Sequence, residues 1–376
     1  MKLSVWASKT PWSMVAIVLA LMVVGWLGIA RCEEFSGGSG RYLRQQVIWS
    51  LLALGAMLAA TTVSYHILCR WSYLIFAVAV ALLAVVYFLP AVNHAHRWIR
   101  LGPLGLQPSE FAKVAFVLAL ARWLMNRDSH RSLLGLAAPL ALTLVPTLLI
   151  LKEPDLGTSA VFLPVMLVML FAAGARRIDL AAFALIGLAA LPVFWTQMSR
   201  EQKLRVTALF EQAGPGEKTS DDTYQLHQAK LMFALGTGWG SLVVGQPVSD
   251  PAVYYLPEAR TDFIFCVLGE RFGLWGLAAT LTLFGLLVAR GRAIAERTRE
   301  PFGRLLAVGL VGLFAAGVLI NTGMAVGLLP VTGLSLPLVS YGGSGMVAHG
   351  LALGLLLNVG MRPGYEVTRE PFRYLA

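Results

Sequence analysis

The sequence predicts an all-α polytopic membrane protein with about ten transmembrane helices. Its 376 residues are 57% hydrophobic and only 13% charged, and the mean hydropathy is +0.70. Apolar runs recur at the length of about 20 residues that a helix needs to cross a bilayer. This composition excludes a soluble protein with a large core. The formal net charge of +10 comes from cations placed in loops, so no nucleic-acid partner is expected.

Ten apolar runs give the predicted spans, in chain order. They are 11–30, 46–68, 71–90, 109–125, 132–151, 157–175, 178–197, 263–289, 305–328 and 344–361. The first run is too long for a signal-peptide core and is predicted to be retained as a span. No fixed-period repeat divides the chain, so residues 1–376 are predicted to form one transmembrane domain. Its one large loop is 198–262, between spans seven and eight.

The charges of the short loops predict the orientation. Lysine and arginine number sixteen in the short loops and tails on one side and six on the other. By the positive-inside rule both termini are expected in the cytoplasm. The large loop and the turns after spans three, five and nine then face outward from the cytoplasmic membrane.

The polar stretch that ends the large loop, Leu256–Phe265, contains the first candidate residue. Asp262 stands directly before a run long enough to cross the bilayer. A carboxylate at membrane depth is costly and points to function. The alternative is that Asp262 only caps the following helix, because aspartate suits the N-cap position. Glu258 precedes it by one helical turn.

Two other outward turns carry charges next to spans. Glu110 and Lys113 share one face at the start of span four, either as part of a site or as an ordinary pair whose charged ends reach the membrane surface. Asp155 lies in the short turn 152–159, either in a site or as the cap of span six.

Two segments cannot be regular spans. The segment Tyr224–Val244 is interrupted by three glycines and is predicted to be re-entrant or interfacial, or else a loop helix packed on the bundle. The segment Pro330–Gly345 contains Ser340 and Ser344 among prolines and glycines. It is either a turn with a structural role or a group of exposed amides that binds an anion.

The outward polar groups together predict a cationic cavity with several carboxylates, open to the outside and to lipid. They are Arg97, Arg100, Glu110, Lys113, Lys152, Asp155, Arg205, Glu258, Arg260, Asp262, Ser340 and Ser344. Cations suit a phosphate or pyrophosphate, and a carboxylate suits a general base or a divalent-metal ligand. The cysteines Cys32, Cys69 and Cys266 match no metal or disulfide spacing. With no nucleotide-binding loop in the sequence, the pattern indicates transfer from an activated lipid carrier.

Five motifs in this order resemble the SEDS family, the RodA/FtsW polymerases of the bacterial cell wall. They are Arg97-Trp98-Ile99; Gln107-Pro108-Ser109-Glu110 with Lys113; Glu153-Pro154-Asp155-Leu156-Gly157-Thr158; Leu256-Pro257-Glu258 with Thr261-Asp262-Phe263-Ile264-Phe265; and Leu336-Pro337-Leu338-Val339-Ser340-Tyr341-Gly342-Gly343-Ser344. The Pro-Asp-Leu-Gly turn and the short tails look more like RodA than FtsW. Two positions depart from the family pattern: Arg260 stands where histidine is usual, and Arg271 where a second acidic residue is common.

The resemblance implies a peptidoglycan glycosyltransferase that polymerises lipid II at the outer face of the cytoplasmic membrane, for cell elongation and rod shape. The family's catalytic aspartate falls on Asp262, to which we assign the role of general base, and its supporting charges fall on Glu110, Lys113 and Asp155. The surrounding arginines and lysines are expected to lower the pKa of Asp262. Arg97, Arg100, Lys113 and Arg205 are candidates for binding the pyrophosphate. A divalent cation, Mg²⁺ or Mn²⁺, held by Asp262 and Asp155 is a further expectation.

Three alternatives and the expected partners complete this interpretation. A transporter that flips lipid II would use a similar cavity but needs charges reachable from both faces near the midplane. An FtsW-like division polymerase would share the chemistry, and a scaffold would leave the charges at membrane depth unexplained. The expected partners are lipid II, a class B penicillin-binding protein that cross-links the glycan, and other membrane proteins of the elongation complex.

Overall fold

The computed structural model describes residues 10–90, 97–101, 104–125, 134–153, 155–189, 192, 195–196, 198–210, 221–245 and 256–362. Helices dominate the described residues. They are α1 (Trp12–Phe35), α2 (Arg41–Thr62), α3 (Tyr65–Val86), α4 (Pro108–Leu124), α5 (Ala137–Lys152), α6 (Leu156–Ala172), α7 (Arg177–Ala189), α8 (Arg200–Thr207), α9 (Asp221–Gly236), α10 (Ser241–Val244), α11 (Ile264–Arg297), α12 (Pro301–Ala325) and α13 (Gly343–Met361).

Each of the ten predicted spans falls on one of these helices, which confirms the all-helical membrane fold. Among the described residues, α1, α2, α3, α11, α12 and α13 are long and apolar enough to cross a bilayer, and α5 and α6 are shorter apolar helices. An apolar run becomes a helix in lipid because each backbone amide must find its hydrogen-bond partner within the segment. Most of the predicted linker 213–222 lies outside the described residues.

A short hairpin precedes α4 and was not predicted. Strand β1 (Ile99–Leu101) pairs antiparallel with β2 (Leu104–Leu106), and Arg100 lies opposite Gly105. Apolar residues alternate with other residue types on both sides of a Gly-Pro pair, which is the pattern of a hairpin rather than of a loop. The hairpin brings Trp98 and Gly105 to the end of the bundle where α4 begins.

Close helix contacts hold the bundle together, most extensively between α2 and α13. An added Cβ on Gly350 would lie 2.3 Å from the Ala53 carbonyl oxygen, and one on Gly354 would lie 2.2 Å from that of Met57. Only glycine therefore permits this spacing, and small residues at helix crossings are typical of packing in membranes. The contact fixes the beginning of α13 beside the beginning of α2.

The segment Tyr224–Val244 packs on the bundle, as one of the two alternatives predicted. An added Cβ on Gly236 would lie 2.0 Å from the Gly269 carbonyl oxygen, so α9 touches the backbone of α11. At Gly273, α11 leaves helical geometry with φ 64° and ψ −163°, a conformation that essentially only glycine adopts.

A buried ion pair ties α1 to the same region. Arg31 donates from Nε and Nη2 to the two carboxylate oxygens of Glu270 at 3.0 and 2.7 Å, and also donates to Ser241 at 3.2 Å. This forked geometry is the strong form of an arginine–carboxylate pair. The departure noted at Arg271 therefore stands next to a carboxylate that already has a partner.

Candidate active site

One end of the helix bundle contains a large cavity of about 980 Å³. Seven predicted site residues lie in its wall. They are Arg97, Glu110, Asp155, Arg205, Glu258, Asp262 and Ser340. Among the residues that the structure describes, the five other members of the predicted cavity lie outside this wall: Arg100, Lys113, Lys152, Arg260 and Ser344. The structure thus brings most of the predicted carboxylates together, while fewer cations face the cavity than the sequence suggested.

Five helices of at least 17 residues begin at this cavity. The wall includes residues from the first two turns of α2, α4, α6 and α13, and the residue two positions before α11. The start of a helix carries a partial positive charge and unpaired amide groups, which together favour an anion. Backbone as well as side chains therefore makes the cavity suitable for a phosphate group.

Asp262 ends a tight turn in the cavity wall. Its amide donates to the Glu258 carbonyl at 3.0 Å, and Glu258 has a φ of 53°, a rare value outside glycine. The N-cap residue of α11 is Phe263, which makes no side-chain capping bond. The alternative in which Asp262 only caps the helix is therefore wrong, and its carboxylate is directed to the cavity instead.

The pKa of Asp262 is raised, not lowered. Burial raises it to about 7, and the neighbouring carboxylates of Glu258 and Asp155 act in the same direction, against the smaller lowering effects of Arg205 and Thr261. Arginine and lysine were expected to lower it, and that expectation was wrong. The surrounding charges that reach Asp262 are mainly acidic, because Arg260 turns away from it.

Arg260 packs on an aromatic ring at the start of α2. Its guanidinium lies 3.9 Å from the centroid of the Tyr42 ring, and its carbonyl accepts a hydrogen bond from the Tyr341 amide at 2.8 Å. An arginine over a tyrosine face gains cation–π energy. This departure from the family pattern thus joins the Asp262 turn to α2 and α13.

The pKa of Asp262 predicts the pH dependence of any reaction in which it accepts a proton. Because its pKa is about 7, the carboxyl is mostly protonated below that pH, so the rate should rise with pH through about 7 and then level off. Glu258→Gln removes one of the carboxylates that raise this pKa, so the same rise should occur at lower pH. The pH profile of the initial rate measures both.

His349 also lines the cavity and supplies the control for this profile. An imidazole can also act as a proton acceptor, so the profile has to be measured in its absence as well. In His349→Gln the midpoint should stay where it is in the unmodified protein. A midpoint that disappears in His349→Gln, or one that Glu258→Gln does not move, would contradict the assignment to Asp262.

Glu110 and Lys113 form a buried pair below the cavity. Lys113 Nζ lies 2.8 Å from Glu110 Oε1, and the two residues are 8% and 4% exposed. A pair that reached for the membrane surface would be exposed, so that alternative is wrong. Glu110 also lines the large cavity, whereas Lys113 lines only a small chamber of about 30 Å³ beneath it.

Asp155 caps α6 and also lies in the cavity wall. One carboxylate oxygen accepts from the Thr158 amide at 3.0 Å and caps α6, and the other accepts from the Gln107 side chain at 3.3 Å. It also lines the cavity and acts electrostatically on Asp262. Capping therefore holds a carboxylate in the wall.

Hydrogen bonds within the segment and to other parts of the protein hold the residues around Ser340 and Ser344. Ser340 Oγ accepts from the Leu336 amide at 2.8 Å, while Ser344 Oγ accepts from the Gln107 amide at 3.0 Å and donates to the Gly105 carbonyl at 2.7 Å. The Gly342 amide donates to Gln46 at 3.3 Å. These bonds favour the structural alternative for the two serines over direct anion binding.

Asn321 is a residue of the site that sequence reasoning missed. It is fully buried in α12 and donates to the backbone carbonyl of Asp262 at 2.7 Å. The available signal was an amide side chain inside an otherwise apolar span, which is rare unless it has a specific partner. His349, a polar side chain within α13 that lines the cavity, was also missed.

Three comparisons place this geometry among known proteins. The family model described as "Cell cycle protein", which covers FtsW, RodA and SpoVE, matches residues 8–363. A relative from Trichlorobacter lovleyi, named "Probable peptidoglycan glycosyltransferase FtsW", is 33% identical over 361 residues, which cover 91% of this chain and 92% of the relative.

Two solved structures share the fold. One belongs to work described as structural coordination of polymerization and crosslinking by a peptidoglycan synthase complex, with a TM-score of 0.79, 30% identity, and coverage of 94% of this chain and 98% of that one. The other is the rod shape determining protein RodA of Thermus thermophilus, with a TM-score of 0.70, 29% identity, and coverage of 95% and 98%.

Proposed function

The chain belongs to the FtsW/RodA/SpoVE family, the SEDS proteins, and from that premise we propose that it is a peptidoglycan glycosyltransferase that polymerises lipid II. The observation that carries the proposal is Asp262, a carboxylate with a pKa of about 7 in the wall of a large cavity. A general base is most effective when its pKa lies near the working pH.

The proposed step is a single displacement at an anomeric carbon. A sugar hydroxyl of one substrate attacks that carbon in the other, and a carbon–oxygen bond forms while the bond to the lipid pyrophosphate breaks. Asp262 accepts the hydroxyl proton, and the electron pair of the broken bond leaves with the pyrophosphate. One carboxylate is sufficient for a displacement of this kind, which inverts the configuration at the anomeric carbon.

The leaving pyrophosphate gains negative charge, which the cavity is suited to stabilise. Arg97 and Arg205 are the predicted cations that line the wall, and the beginnings of five helices add the partial charges of their amides. Lys113 acts indirectly in this proposal, by holding Glu110 in the floor of the cavity. Arg100 lies on β1, outside the wall.

A divalent cation is part of the proposal. The carboxylates of Asp155 and Asp262 are oxygen donors close enough to interact electrostatically, and Mg²⁺ takes such donors together with waters and substrate phosphates. Bound there, Mg²⁺ or Mn²⁺ would neutralise charge on the leaving pyrophosphate and would also lower the pKa of Asp262, so the pH profile predicted above applies without the cation. Polymerisation that is unchanged by a chelator would remove the cation from the proposal.

The decisive experiment is polymerisation by the purified full-length protein. The protein is given lipid II with and without Mg²⁺, and with and without a class B penicillin-binding protein, and glycan length is read on a gel. We expect polymer. If no condition gives polymer while labelled lipid II crosses vesicles that contain the protein, it is a transporter.

The orientation belongs to the same proposal. The chain is a multi-pass membrane protein. With both termini cytoplasmic, the cavity opens on the outer face. Cysteines placed at 213–222 should then react with a membrane-impermeant reagent in whole cells, and cysteines placed at 291–300 should not. The reverse labelling pattern would put the cavity on the wrong side for this substrate.

We also propose a role in cell elongation, because the Pro-Asp-Leu-Gly motif at 154–157 looks more like RodA than FtsW. The proposed partners are a class B penicillin-binding protein and other proteins of the elongation complex. A solved relative belongs to a peptidoglycan synthase complex, which supports such a partner. Expression in cells depleted of RodA or of FtsW tests the role. Restored rod shape is expected, and rescue of division alone would assign the protein to division.

A further inference from the structure

Asn321 connects two separate parts of the cavity wall through one side chain. Its amide nitrogen donates to the carbonyl of Asp262 at 2.7 Å and to the carbonyl of Leu334 at 2.6 Å. Because both acceptors are carbonyls, only the nitrogen of the amide can make these bonds. The residue is 0% exposed, and a buried amide is costly unless such bonds are made.

The two carbonyls belong to segments that meet at the Asp262 carboxylate. Gly333 has a φ of 72°, and an added Cβ there would lie 3.5 Å from Asp262 Oδ2. Asn321 therefore joins the turn that carries the carboxylate to the segment that lies directly against it. A loss of these bonds would free both segments at once.

The Asp155 turn is joined to the same segment. The Gly157 amide donates to the Thr332 carbonyl at 3.1 Å, and an added Cβ on Gly157 would lie 2.8 Å from Leu334 Cβ. One chain of bonds thus runs from the start of α6, through residues 332–334, to Asn321 and Asp262. The distance between the carboxylates of Asp155 and Asp262 therefore depends on these bonds.

Resting on the proposed function, we propose that Asn321 is a positioning residue for glycosyl transfer, whose amide fixes the Asp262 carboxylate relative to residues 332–334 and to Asp155. Asn321 is not among the described residues that line the large cavity. It therefore acts through the backbone of Asp262 and not on substrate. Displacing a reacting group by about 1 Å can cost roughly 100-fold in rate.

The chain contains a matched control for this side chain. Asn358 in α13 is also 0% exposed and donates from its amide nitrogen to two carbonyls, those of Ala60 and Val63, each at 2.7 Å. These bonds join α13 to the end of α2 that lies away from the cavity. Asn321→Leu and Asn358→Leu therefore each remove two hydrogen bonds to backbone carbonyls, with a side chain of similar shape. Asn358→Leu also removes the bond that Arg362 donates to Asn358 Oδ1 at 2.7 Å.

The test compares the two variants as purified full-length proteins. In Asn321→Leu, kcat for polymerisation should fall roughly 10- to 100-fold per folded molecule, with KM changed by less than about threefold, because positioning matters most in the transition state. Both variants should lose thermal stability to a similar extent. In Asn358→Leu, however, kcat per folded molecule should stay within about threefold of the value for the unmodified protein. Equal losses of kcat in the two variants would overturn the proposal.

Hydrogen exchange supplies a measurement that does not depend on activity. In Asn321→Leu, peptides that cover 256–263 and 332–336 should exchange faster, and in Asn358→Leu the faster peptides should be those around 60–63. Unchanged exchange at both cavity segments would overturn the proposed clamp. If the unmodified protein forms no polymer, the proposed function fails on that result, while exchange still decides whether Asn321 holds the two segments.

Discussion

Asp262→Asn is expected to reduce glycan polymerisation by roughly 100- to 10,000-fold, the usual contribution of a general base. Asparagine has almost the same size as aspartate but cannot accept the proton of the attacking hydroxyl. The backbone bonds of residue 262, from its amide to Glu258 and from its carbonyl to Asn321, do not involve the side chain and should survive. Polymer length from lipid II, measured per folded molecule, gives the result.

Two controls make this expectation specific. Lipid II binding and protein level should remain close to those of the unmodified protein, since Phe263 and not Asp262 is the N-cap residue of α11. Glu258→Gln, one turn away, should retain activity above the pH of its shifted profile. Similar polymer from Asp262→Asn and the unmodified protein would refute the assignment of the base.

Lys113→Met is expected to cause the second-largest loss, and to act on folding as well as activity. It would leave Glu110 buried without its partner, and breaking a buried pair in this way costs about 3–5 kcal/mol. Glu110 also lines the cavity, so its displacement should reduce polymerisation per folded molecule by roughly tenfold or more. Yield, thermal unfolding and rate together separate the two effects.

A double-mutant cycle and a second ion pair test this explanation. Glu110→Gln combined with Lys113→Met removes both charges, so stability should recover relative to either single variant while activity stays low. Arg31→Met breaks a pair of equal burial, to Glu270 at 2.7 Å, outside both cavities. It should lower yield, with the rate per folded molecule changed by less than about threefold. Full activity in both Glu110→Gln and Lys113→Met would return the pair to a merely structural role.

The sequence predicted the spans well because a run of apolar residues must become a helix in lipid. It also placed Asp262, Glu110 and Asp155 at one end of the bundle, since charges beside spans are few and conspicuous. The hairpin at 99–106 was missed because its alternation covers only two strands of three residues. Short patterns of this kind carry little information against a background of helices.

The electrostatic prediction for Asp262 failed for a physical reason. The arginines and lysines of the predicted cavity suggested a lowered pKa, but the guanidinium of Arg260 packs on Tyr42. Burial is the main cause of the raised pKa of Asp262, and the negative charges of Glu258 and of Asp155, which comes from elsewhere in the chain, raise it further. Distances across a bundle decide a pKa, and no local sequence pattern reveals them. The same limit hid Asn321, whose two partners lie 59 and 13 positions away along the chain.

The five helices that begin at the cavity have a consequence for any systematic mutational scan of this protein. Their partial charges belong to the main chain, so they survive every side-chain replacement and do not titrate with pH. A single change at Arg97 or Arg205 would then weaken only one of several contributions to the proposed attraction between the cavity and a phosphate group. The residues that tolerate replacement in such a scan would include some that contact the phosphates in the proposed reaction, because the fold itself duplicates their contribution.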